Sequence, residues 1–492
     1  MQIFLIGLSG VGKTTLGKKL SKILDIDFLD MDEIIEKQNN MKIKDIFNKY
    51  GESRFRDLES ELLFSLNNKE GIIATGGGVI LNKKNRKFLK EKKSFFIYKD
   101  IDEIINNLEI SHRPLLKDRN SLLDLWEKRK NIYNEFYKID ISGLNIQEST
   151  AKILNTFFVK EYKIVDKEIQ NTFLKNKLDE DFLNKKIIIS DDKFHSIFFS
   201  KYKGKNIFKI KEPEKNKKME TIMDIIDFFI ENDVDRSNLI EIYGGGAVTD
   251  IAAFACSIYK RGIKYSLNPT TLLSQVDASI GGKNGVNYRK YKNIIGNINI
   301  PEKTYINTNY IMSLDDTEYI NGLIEIIKIF ILTEQNIDIF LDKKEKIEKR
   351  NLDFMTDLIV KSVKKKINFV SKDKTDKNIR MALNYGHTLG HAFESITDNK
   401  HGVSVAWGIK KENLISKKMG FLCAHDFNTI NELLNLYIDN EILNMELEKD
   451  DLLKYLRKDK KTDSGKIKIP LLKKIGEFYF VEISPEEVVD LL

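Results

Sequence analysis

Half of the chain's six histidines stand in one stretch, LNYGHTLGHAFESITDNKHG, residues 383–402. His387 and His391 are four apart, so a helix puts both on one face. By spacing alone both are candidate metal ligands, and His401 is a third. A catalytic zinc site commonly takes three protein ligands and leaves one position open. A carboxylate is still wanted, and GLIEIIKIF offers Glu325, with Lys328 one turn on in an otherwise apolar helix.

The chain opens on a different chemistry. Gly7–Leu8–Ser9–Gly10–Val11–Gly12–Lys13–Thr14 fits G-x-x-x-x-G-K-[ST], with an apolar strand before it and a helix after. Such a loop turns backbone N–H groups onto phosphate oxygens at a helix N-terminus. Lys13 would neutralise the transferred phosphoryl group, and Thr14 would ligate Mg²⁺. FLDMDEIIE then places Asp30 and Asp32 two apart at an expected strand end, one for the metal and one for a hydroxyl. GESRFRDLE sets Arg56 and Glu59 one helical turn apart, and an arginine facing a cleft can grip a carboxylate in a fork. ATGGG, with Gly76, Gly77 and Gly78, lets backbone approach a small ligand closely. HRPLL offers Arg113 and EKRKNIY offers Arg129.

A third group lies mid-chain. EIYGGGAVTD carries Gly244, Gly245 and Gly246 directly after an apolar run. It is not G-x-G-x-x-G, yet bare backbone at a helix start can hold a pyrophosphate. Downstream, YKRGIKYSLNPTTLLSQVDASIGGKNGVNYRKYKNIIG gathers Arg261, Asp277, Lys283, Lys292 and Asn293 among glycines. Cations in such company suit a phosphate-bearing substrate with several hydroxyls.

These groups need a scaffold of alternating strands and helices. MQIFLIG, FLDMD, GIIATGGG and SFFIYKD read as strands; TTLGKKLSKILD and IFNKYGESRFRDLESELLFSL read as helices. That alternation predicts a parallel sheet. The pattern restarts near EYKIVDKEI, so a boundary falls at about 157–162. From about 311 it turns helical through GLIEIIKIFILTEQ, FMTDLIVKSVKKKINFVSKD and HTLGHAFESI. The expected parts are 1–158, α/β; 163–310, α/β; and 311–492, mostly α-helical.

Composition narrows the class. At 492 residues the chain exceeds one ordinary core. A net charge of +7 from 81 basic and 74 acidic residues is mild, and no basic run interleaves with aromatics, so no nucleic-acid partner is expected. No run approaches the roughly 20 apolar residues of a membrane span. The first residues lead straight into the glycine loop and read as a strand, not a signal peptide. Two distant cysteines, Cys256 and Cys423, fit reduced thiols in a cytoplasmic protein.

GLSGVGKTT, DMD, GESRFRDLE, ATGGG, RPLL and R-x-x-x-Y together resemble shikimate kinase over nearly all of residues 1–155. The resemblance implies a P-loop kinase domain, a parallel sheet flanked by helices, that moves the ATP γ-phosphoryl to the 3-hydroxyl of shikimate. It implies ATP on Gly7, Gly10, Gly12, Lys13, Thr14 and Thr15, and Mg²⁺ on Thr14 and Asp30. Asp32 would orient or deprotonate the hydroxyl, and Arg56, Arg129 and Gly76–Gly78 would hold shikimate. Arg113 would close over the phosphates. IDEIINNLEISH before the lid and DISGLNIQEST at the domain end lack the basic residues the family pattern carries.

From about residue 165 onward, GGGAVTDIAAF, YKRG, PTTLLSQVDASIGGKNGVN, KNIIG, GLIEIIK, LNYGHTLGHAFE and HG-x-x-V resemble 3-dehydroquinate synthase. The resemblance implies a Rossmann-like NAD⁺-binding part followed by a helical metal and substrate part. Zn²⁺ or Co²⁺ would sit on Glu325, His387 and His401, which overrides the H-x-x-x-H reading, with His391 facing the substrate phosphate. NAD⁺ would lie on Gly244–Gly246, with Glu214, Lys217, Asp250, Thr270, Thr271, Asp277, Lys283 and Lys292 around it. The substrate set would be Arg261, Asp277, Lys283, Lys292, Asn293, Lys328, Lys366, Arg380, Asn384, His391 and Lys460. Lys283, Lys328, Lys366 and His391 would act in the reaction. The implied chemistry turns 3-deoxy-arabino-heptulosonate 7-phosphate into 3-dehydroquinate and phosphate, with a hydride lent to NAD⁺ and returned. Asn307, Asp315, Thr317 and Val403 depart from the family pattern.

The expectation is thus a bifunctional enzyme of aromatic-precursor biosynthesis. The synthase family is commonly dimeric, so a homodimer through that unit is expected. Rival readings are a polyol dehydrogenase or another sugar-phosphate cyclase in the C-terminal part, and a regulatory nucleotide-binding N-terminal domain. The anion-binding set argues against a polyol dehydrogenase, the attached kinase against other sugar-phosphate cyclases, and the intact Lys13, Asp32, Arg56 and Arg129 against a regulatory domain.

Overall fold

The computed structural model describes residues 1–106, 119–158, 160–165, 170–175, 186–200, 206–289, 291–458 and 465–492. Two compact units are distinguished. The first holds Met1–Phe157 with Lys349–Asp353, and the second holds Phe158–Glu348 with Phe354–Leu492.

In the first unit five strands, β1 (Gln2–Ile6), β2 (Phe28–Asp30), β3 (Gly71–Ala74), β4 (Ser94–Tyr98) and β5 (Tyr137–Asp140), lie in the order β2-β3-β1-β4-β5. Every pairing is parallel, with Leu5 opposite Ala74 and Ile6 opposite Phe96. Central strands covered on both faces read as unbroken apolar runs, and QIFLI and GIIA are such runs. The carboxyl ends of β1, β2 and β3 therefore open onto one edge, where ligands of such sheets bind. Helix α1 (Lys13–Leu24) follows β1 through Gly12, whose φ of 97° favours glycine. Helix α2 (Met31–Asn39) follows β2 without a loop, so Asp32 stands in a first helical turn and not at a strand end as the sequence suggests. Helix α3 (Ile43–Ser65) breaks at Gly51, with φ 80° and ψ 169°. The break re-aims the segment that carries Arg56 and Glu59. Helix α4 (Arg119–Tyr133) carries Arg129.

The second unit has a seven-stranded sheet. Its strands are β6 (Glu161–Val165), β7 (Thr172–Lys175), β8 (Ile187–Asp191), β9 (Ile207–Ile210), β10 (Leu239–Gly244), β11 (Lys264–Pro269) and β14 (Lys303–Ile306), in the order β6-β7-β14-β11-β10-β8-β9. All pairs are parallel except β6 with β7. Helix α5 (Gly246–Ile258) packs Ile251, Ala252 and Ala255 into a core with Ile189, Ile240, Ile242 and Phe229. A separate antiparallel hairpin, β12 (Lys283–Tyr288) and β13 (Tyr291–Ile298), carries the cation-rich segment.

Beyond it come helices α6 (Asp316–Thr333), α7 (Leu352–Lys372), α8 (His387–Thr397) and α9 (His401–Lys418). Every residue of α6 from Asn321 to Leu332 is buried, so it is a core helix and its Glu325 and Lys328 are interior groups. This helical part also holds a hairpin that the sequence reading passed over, β15 (Ile467–Lys474) with β16 (Glu477–Ile483). Ile467, Ile469 and Leu471 of β15 pack with Phe393 and Trp407 behind the histidine-bearing helices.

Candidate active sites

At the first site Lys13 Nζ donates to the carbonyls of Gly7 and Leu8 at 2.8 and 3.0 Å. The cation thus rests across the rim of its own loop. Thr14 Oγ1 donates to Asp30 Oδ2 at 2.6 Å. Asp30 Oδ1 accepts from the Asp32 and Glu33 N–H groups, which caps α2 and fixes the carboxylate. Thr14 and Asp30 thus bring together two oxygens that could hold a divalent cation. Thr15 is exposed on α1.

Asp32, Arg56 and Glu59 converge on the turn after β3. A Cβ on Gly76 would strike the Glu59 carboxylate and come 2.9 Å from Asp32 Oδ1; one on Gly78 would strike the Arg56 guanidinium. A side chain at either position would have to displace these functional groups, which is a physical reason for glycines there. Arg129 Nη1 donates to Gly77 O at 2.9 Å, and the Tyr133 hydroxyl donates to the same oxygen at 2.6 Å. Arg56 is shared between Glu52, at 2.8 Å, and the buried Glu59. Burial raises the Glu59 carboxyl to about 7, against the pull of Arg56. The sequence signal for Glu59 was its helical spacing from Arg56. Arg113 lies outside the described residues.

At the second site the turn from β10 to α5 is tight. A Cβ on Gly244 would overlap Val248; on Gly245 and Gly246 it would meet Thr271 at 3.1 Å and Ala278 at 3.3 Å. Thr270 N–H donates to Gly244 O at 2.9 Å, so Thr270 and Thr271 flank the turn. The buried Lys217 Nζ meets Asp250 Oδ2 at 2.6 Å, and burial raises the Asp250 carboxyl despite that lysine. Glu214 is exposed but acts electrostatically on Asp250. Bare backbone at a helix start, beside this buried ion pair, fits the pyrophosphate and ribose of a dinucleotide.

The metal candidates meet because α8 and α9 pack on glycine. Gly408 leaves no space for a Cβ against Gly386 O, and Gly402 N–H donates to Asn321 Oδ1 of α6 at 3.0 Å. His387 Nε2 and His401 Nε2 each lie 3.5 Å from Glu325 Oε1. That oxygen is buried and accepts no well-formed hydrogen bond among the described residues. His387 Nδ1 faces the Tyr385 carbonyl at 3.2 Å, which leaves Nε2 as the lone-pair nitrogen. Glu325, His387 and His401 offer ligand atoms within 4.8 Å of one another, and His391 joins a second such group with Glu394 and His401. An orphaned carboxylate oxygen facing two imidazole nitrogens fits a divalent ion.

The electrostatics set Glu325 and His387 in their ligating forms and leave on His401 a proton that an arriving ion would displace. Burial would raise the Glu325 carboxyl, but Lys328, 2.5 Å away, and the two histidines hold it well below its ordinary value. Burial, then Lys328, pushes His387 well down, so it is neutral, the form that ligates. Burial opposes a charged His401, but the carboxylates of Glu325 and Glu394 beside it outweigh burial and raise it to about 9.

Around this centre Lys328 Nζ also donates to Leu383 O at 2.7 Å. Lys366 of α7 meets Asp277 through the side chain and, at 2.7 Å, through the backbone carbonyl. Burial lowers the Lys366 ammonium. Arg380 is buried and reaches Gly281 O at 3.3 Å. Asn384 ends the short helix Ile379–Asn384, just ahead of His387. Lys283 pairs with Asp376, and Lys292 with Glu394 at 2.6 Å. Asn293 sits on the same hairpin at φ 53°.

Arg261 is not brought to this cleft within one chain. It precedes β11, whereas Thr270 and Asp277 follow it, and six strand residues span roughly 20 Å. It lines a surface recess with Asp235, Arg236 and Lys260 instead. Lys460 lies outside the described residues. The departures at Asn307 and Asp315 serve as helix caps: Asn307 accepts from Asn309 N–H at 3.1 Å, and Asp315, ahead of α6, from Glu318 N–H at 2.8 Å. Thr317 lies in the first turn of α6 and Val403 in that of α9.

Sequence reasoning gave no role to three buried or half-buried groups. Glu412 of α9 is fully buried and accepts from Gly386 N–H at 2.7 Å, seating the start of α8. Gln170 holds the turn before Lys283, donating to Ser279 O at 2.7 Å and accepting from Gly281 N–H at 3.0 Å. Glu394 lies beside His401. Only Glu394 left a signal, its helical spacing from His387 and His391.

No helix among the described residues is long and apolar enough to cross a membrane. Cys256 and Cys423 are unpaired.

Comparison with known proteins agrees in both units. The shikimate kinase family model matches residues 9–158. Those for the 3-dehydroquinate synthase N-terminal and C-terminal parts match 207–321 and 322–462. A bifunctional shikimate kinase/3-dehydroquinate synthase of Thermotoga maritima is 35% identical over 501 residues, covering 100% of both chains. A 3-dehydroquinate synthase of Nitratiruptor sp. is 36% identical over 293 residues, 58% of this chain and 82% of its own. In fold, the second unit is similar to the 2-epi-5-epi-valiolone synthase ValA of Streptomyces hygroscopicus, solved with NAD⁺ and Zn²⁺, with TM-score 0.59 and 22% identity over 66% of this chain and 96% of that one. It is likewise similar to a 2-deoxy-scyllo-inosose synthase solved with carbaglucose-6-phosphate, NAD⁺ and Co²⁺, with TM-score 0.57 and 21% identity over 68% and 98%. With a full-length relative at 35% identity and family models matching both units, the chain belongs to the bifunctional shikimate kinase/3-dehydroquinate synthase family.

Proposed function

We propose that the first unit phosphorylates the 3-hydroxyl of shikimate from ATP, and that the second converts 3-deoxy-arabino-heptulosonate 7-phosphate to 3-dehydroquinate and phosphate. The observation that carries the second activity is Glu325 Oε1, a buried carboxylate oxygen facing the Nε2 atoms of two histidines among lysines.

In the first unit Lys13 would leave the Gly7 and Leu8 carbonyls for the phosphates of ATP, and Thr14 with Asp30 would hold Mg²⁺. Asp32 would take or orient the hydroxyl proton. Arg56 and Arg129, both at the Gly76–Gly78 turn, would grip the shikimate carboxylate. In the second unit Glu325, His387 and His401 would hold Zn²⁺ or Co²⁺, and the Gly244–Gly246 turn would hold NAD⁺. When bound, the ion acidifies coordinated hydroxyls and the nicotinamide accepts and returns a hydride. Lys283, Lys292, Lys366 and Arg380 would fix the substrate's anionic groups, and His391 would move a proton beside its phosphate.

We also place the chain in the cytoplasm, in keeping with its unpaired thiols, and read it as self-associating through the second unit. Tyr288, Tyr291, Ile294 and Ile298 are exposed on the β12–β13 hairpin, an apolar surface that a second copy would cover. Arg261, far from its own chain's cleft, could then serve another copy.

The test is a phosphate-release assay on metal-replete protein with NAD⁺ and the heptulosonate phosphate, beside His387→Ala. Release that the substitution abolishes is expected; no release from wild-type protein carrying metal and NAD⁺ sinks the synthase reading. A coupled ADP assay with shikimate and ATP tests the kinase, and Asp32→Asn must abolish its turnover.

A further inference from the structure

Glu394 stands on α8 seven residues after His387, two helical turns along the same face. Its two carboxylate oxygens have separate partners. Oε2 lies 3.5 Å from His401 Nδ1, and Oε1 accepts from Lys292 Nζ at 2.6 Å. The Glu394 side chain is 17% exposed, against 61% for Lys292, so the lysine reaches in from the hairpin to a half-buried acid.

Each partner belongs to a different part of the proposed machinery. His401 turns Nε2 toward Glu325, so a proton on Nδ1 given to Glu394 keeps Nε2 aimed at the centre. Histidines that ligate metals commonly give their second N–H to a carboxylate, which fixes the ring and raises its basicity. Lys292 sits on β13, paired with the β12 strand that carries Lys283. One carboxylate thus touches a candidate metal ligand and a candidate anion-binding lysine at once.

We infer that Glu394 is a positioning residue that couples occupancy of the metal centre to occupancy of the anion-binding hairpin. The inference rests on the metal set proposed above. An anion that draws Lys292 away leaves Glu394 wholly to His401, making Nε2 the better ligand. By reciprocity, metal on His401 loosens Lys292 for the anion.

The experiment is cobalt binding to metal-free full-length protein, by equilibrium dialysis and d–d absorption, with and without inorganic phosphate. Wild type, Glu394→Gln, Lys292→Gln and His401→Ala are compared. In wild type phosphate should tighten cobalt several-fold. Glu394→Gln should weaken cobalt by about 10–100-fold, alter the spectrum and abolish the effect of phosphate. Lys292→Gln, on an exposed strand where misfolding is not at issue, should bind cobalt at least as well as wild type and also lose the effect of phosphate. Wild-type affinity and spectrum in Glu394→Gln, or phosphate coupling that survives in Lys292→Gln, overturns the inference. Cobalt binding undiminished in His401→Ala instead overturns the metal set itself.

Discussion

Gly408 of α9 lies against Gly386 at the start of α8 so closely that a Cβ on Gly408 would strike the Gly386 carbonyl oxygen and sit 2.6 Å from Gly390 N. This backbone-on-backbone contact sets the spacing of His387 and His401. Gly408→Ala should push the helices apart at an overpacking cost of about 1–3 kcal/mol. A displacement near 1 Å should lower synthase turnover about 100-fold. Phosphate release and cobalt affinity should both fall, while shikimate phosphorylation serves as the internal control and holds. Unchanged cobalt affinity would show that this contact does not set the metal geometry.

Arg56 should not be replaceable by lysine. Its guanidinium packs against Gly78 and meets Glu52 and Glu59 in a fork, whereas an ammonium is a single point charge. Arg56→Lys should raise the KM for shikimate by about 10–100-fold, from the roughly 1.5–3 kcal/mol of a charged hydrogen bond. The KM for ATP should stay within about twofold, since charged hydrogen bonds to a remote group do not touch the phosphates. Initial-rate kinetics in both substrates separate the two, and an equal rise in both constants counts against a shikimate role.

Glu412 predicts a pH dependence of stability. Burial raises its carboxyl to about 8 against the hydrogen bonds from Gly386, Leu389 and Thr388 N–H groups. The ordinary value is 4.5, so between about 4.5 and 8 the folded state holds a proton that the unfolded state has released. Stability therefore falls as pH rises through that window, with a limiting slope of about 1.4 kcal/mol per pH unit. Glu412→Gln should remove that slope. Denaturant unfolding followed by Trp407 fluorescence in a Trp126→Phe background reads the difference between the two proteins. Parallel pH profiles would mean that Glu412 does not titrate as its burial implies.

Gln170 should matter to the chemistry without touching it. It clamps the turn of Ser279 and Gly281 that leads into Lys283, and Arg380 holds the same turn through Gly281 O. Gln170→Ala leaves a buried carbonyl and a buried N–H without that partner, each worth about 1–3 kcal/mol. Synthase kcat/KM should drop at least about 10-fold through the misplaced lysine, while cobalt affinity stays at the wild-type value. Loss of cobalt along with activity would point to general unfolding instead.

The glycine loop, the parallel strands and the core helix α6 could be read from sequence because each is a local pattern: fixed spacing, an unbroken apolar run, burial on every side. The meeting of Glu325 with His387 and His401 is not local. It depends on three helices packing through Gly402, Gly386 and Gly408, and composition alone left the choice between His391 and His401 open. FLDMD reads as a strand through Asp32 because nothing in it signals that α2 starts at Met31. Arg261 reads as part of the cleft because sequence nearness hides the length of β11 that separates it from Thr270 and Asp277. Gln170 and Glu412 left no signal, since their partners are backbone groups 111 and 26 positions away. The hairpin of β15 and β16 was passed over although IKIPLLKK and GEFYFVEI carry strand-forming residues.

Five lysines of the second unit already face an acid: Lys217 with Asp250, Lys283 with Asp376, Lys292 with Glu394, Lys328 with Glu325 and Lys366 with Asp277. These lysines are therefore each paired before any substrate arrives. On the proposed reading, a phosphorylated sugar acid would enter by trading places with resident carboxylates, which is a partner exchange and not a fall down an electrostatic funnel. Such an exchange selects for ligands that engage several lysines together. A lone inorganic anion would recover only part of the set, such as the contact with Lys292, and so the product phosphate would be held more loosely once the carbon skeleton has let go of it.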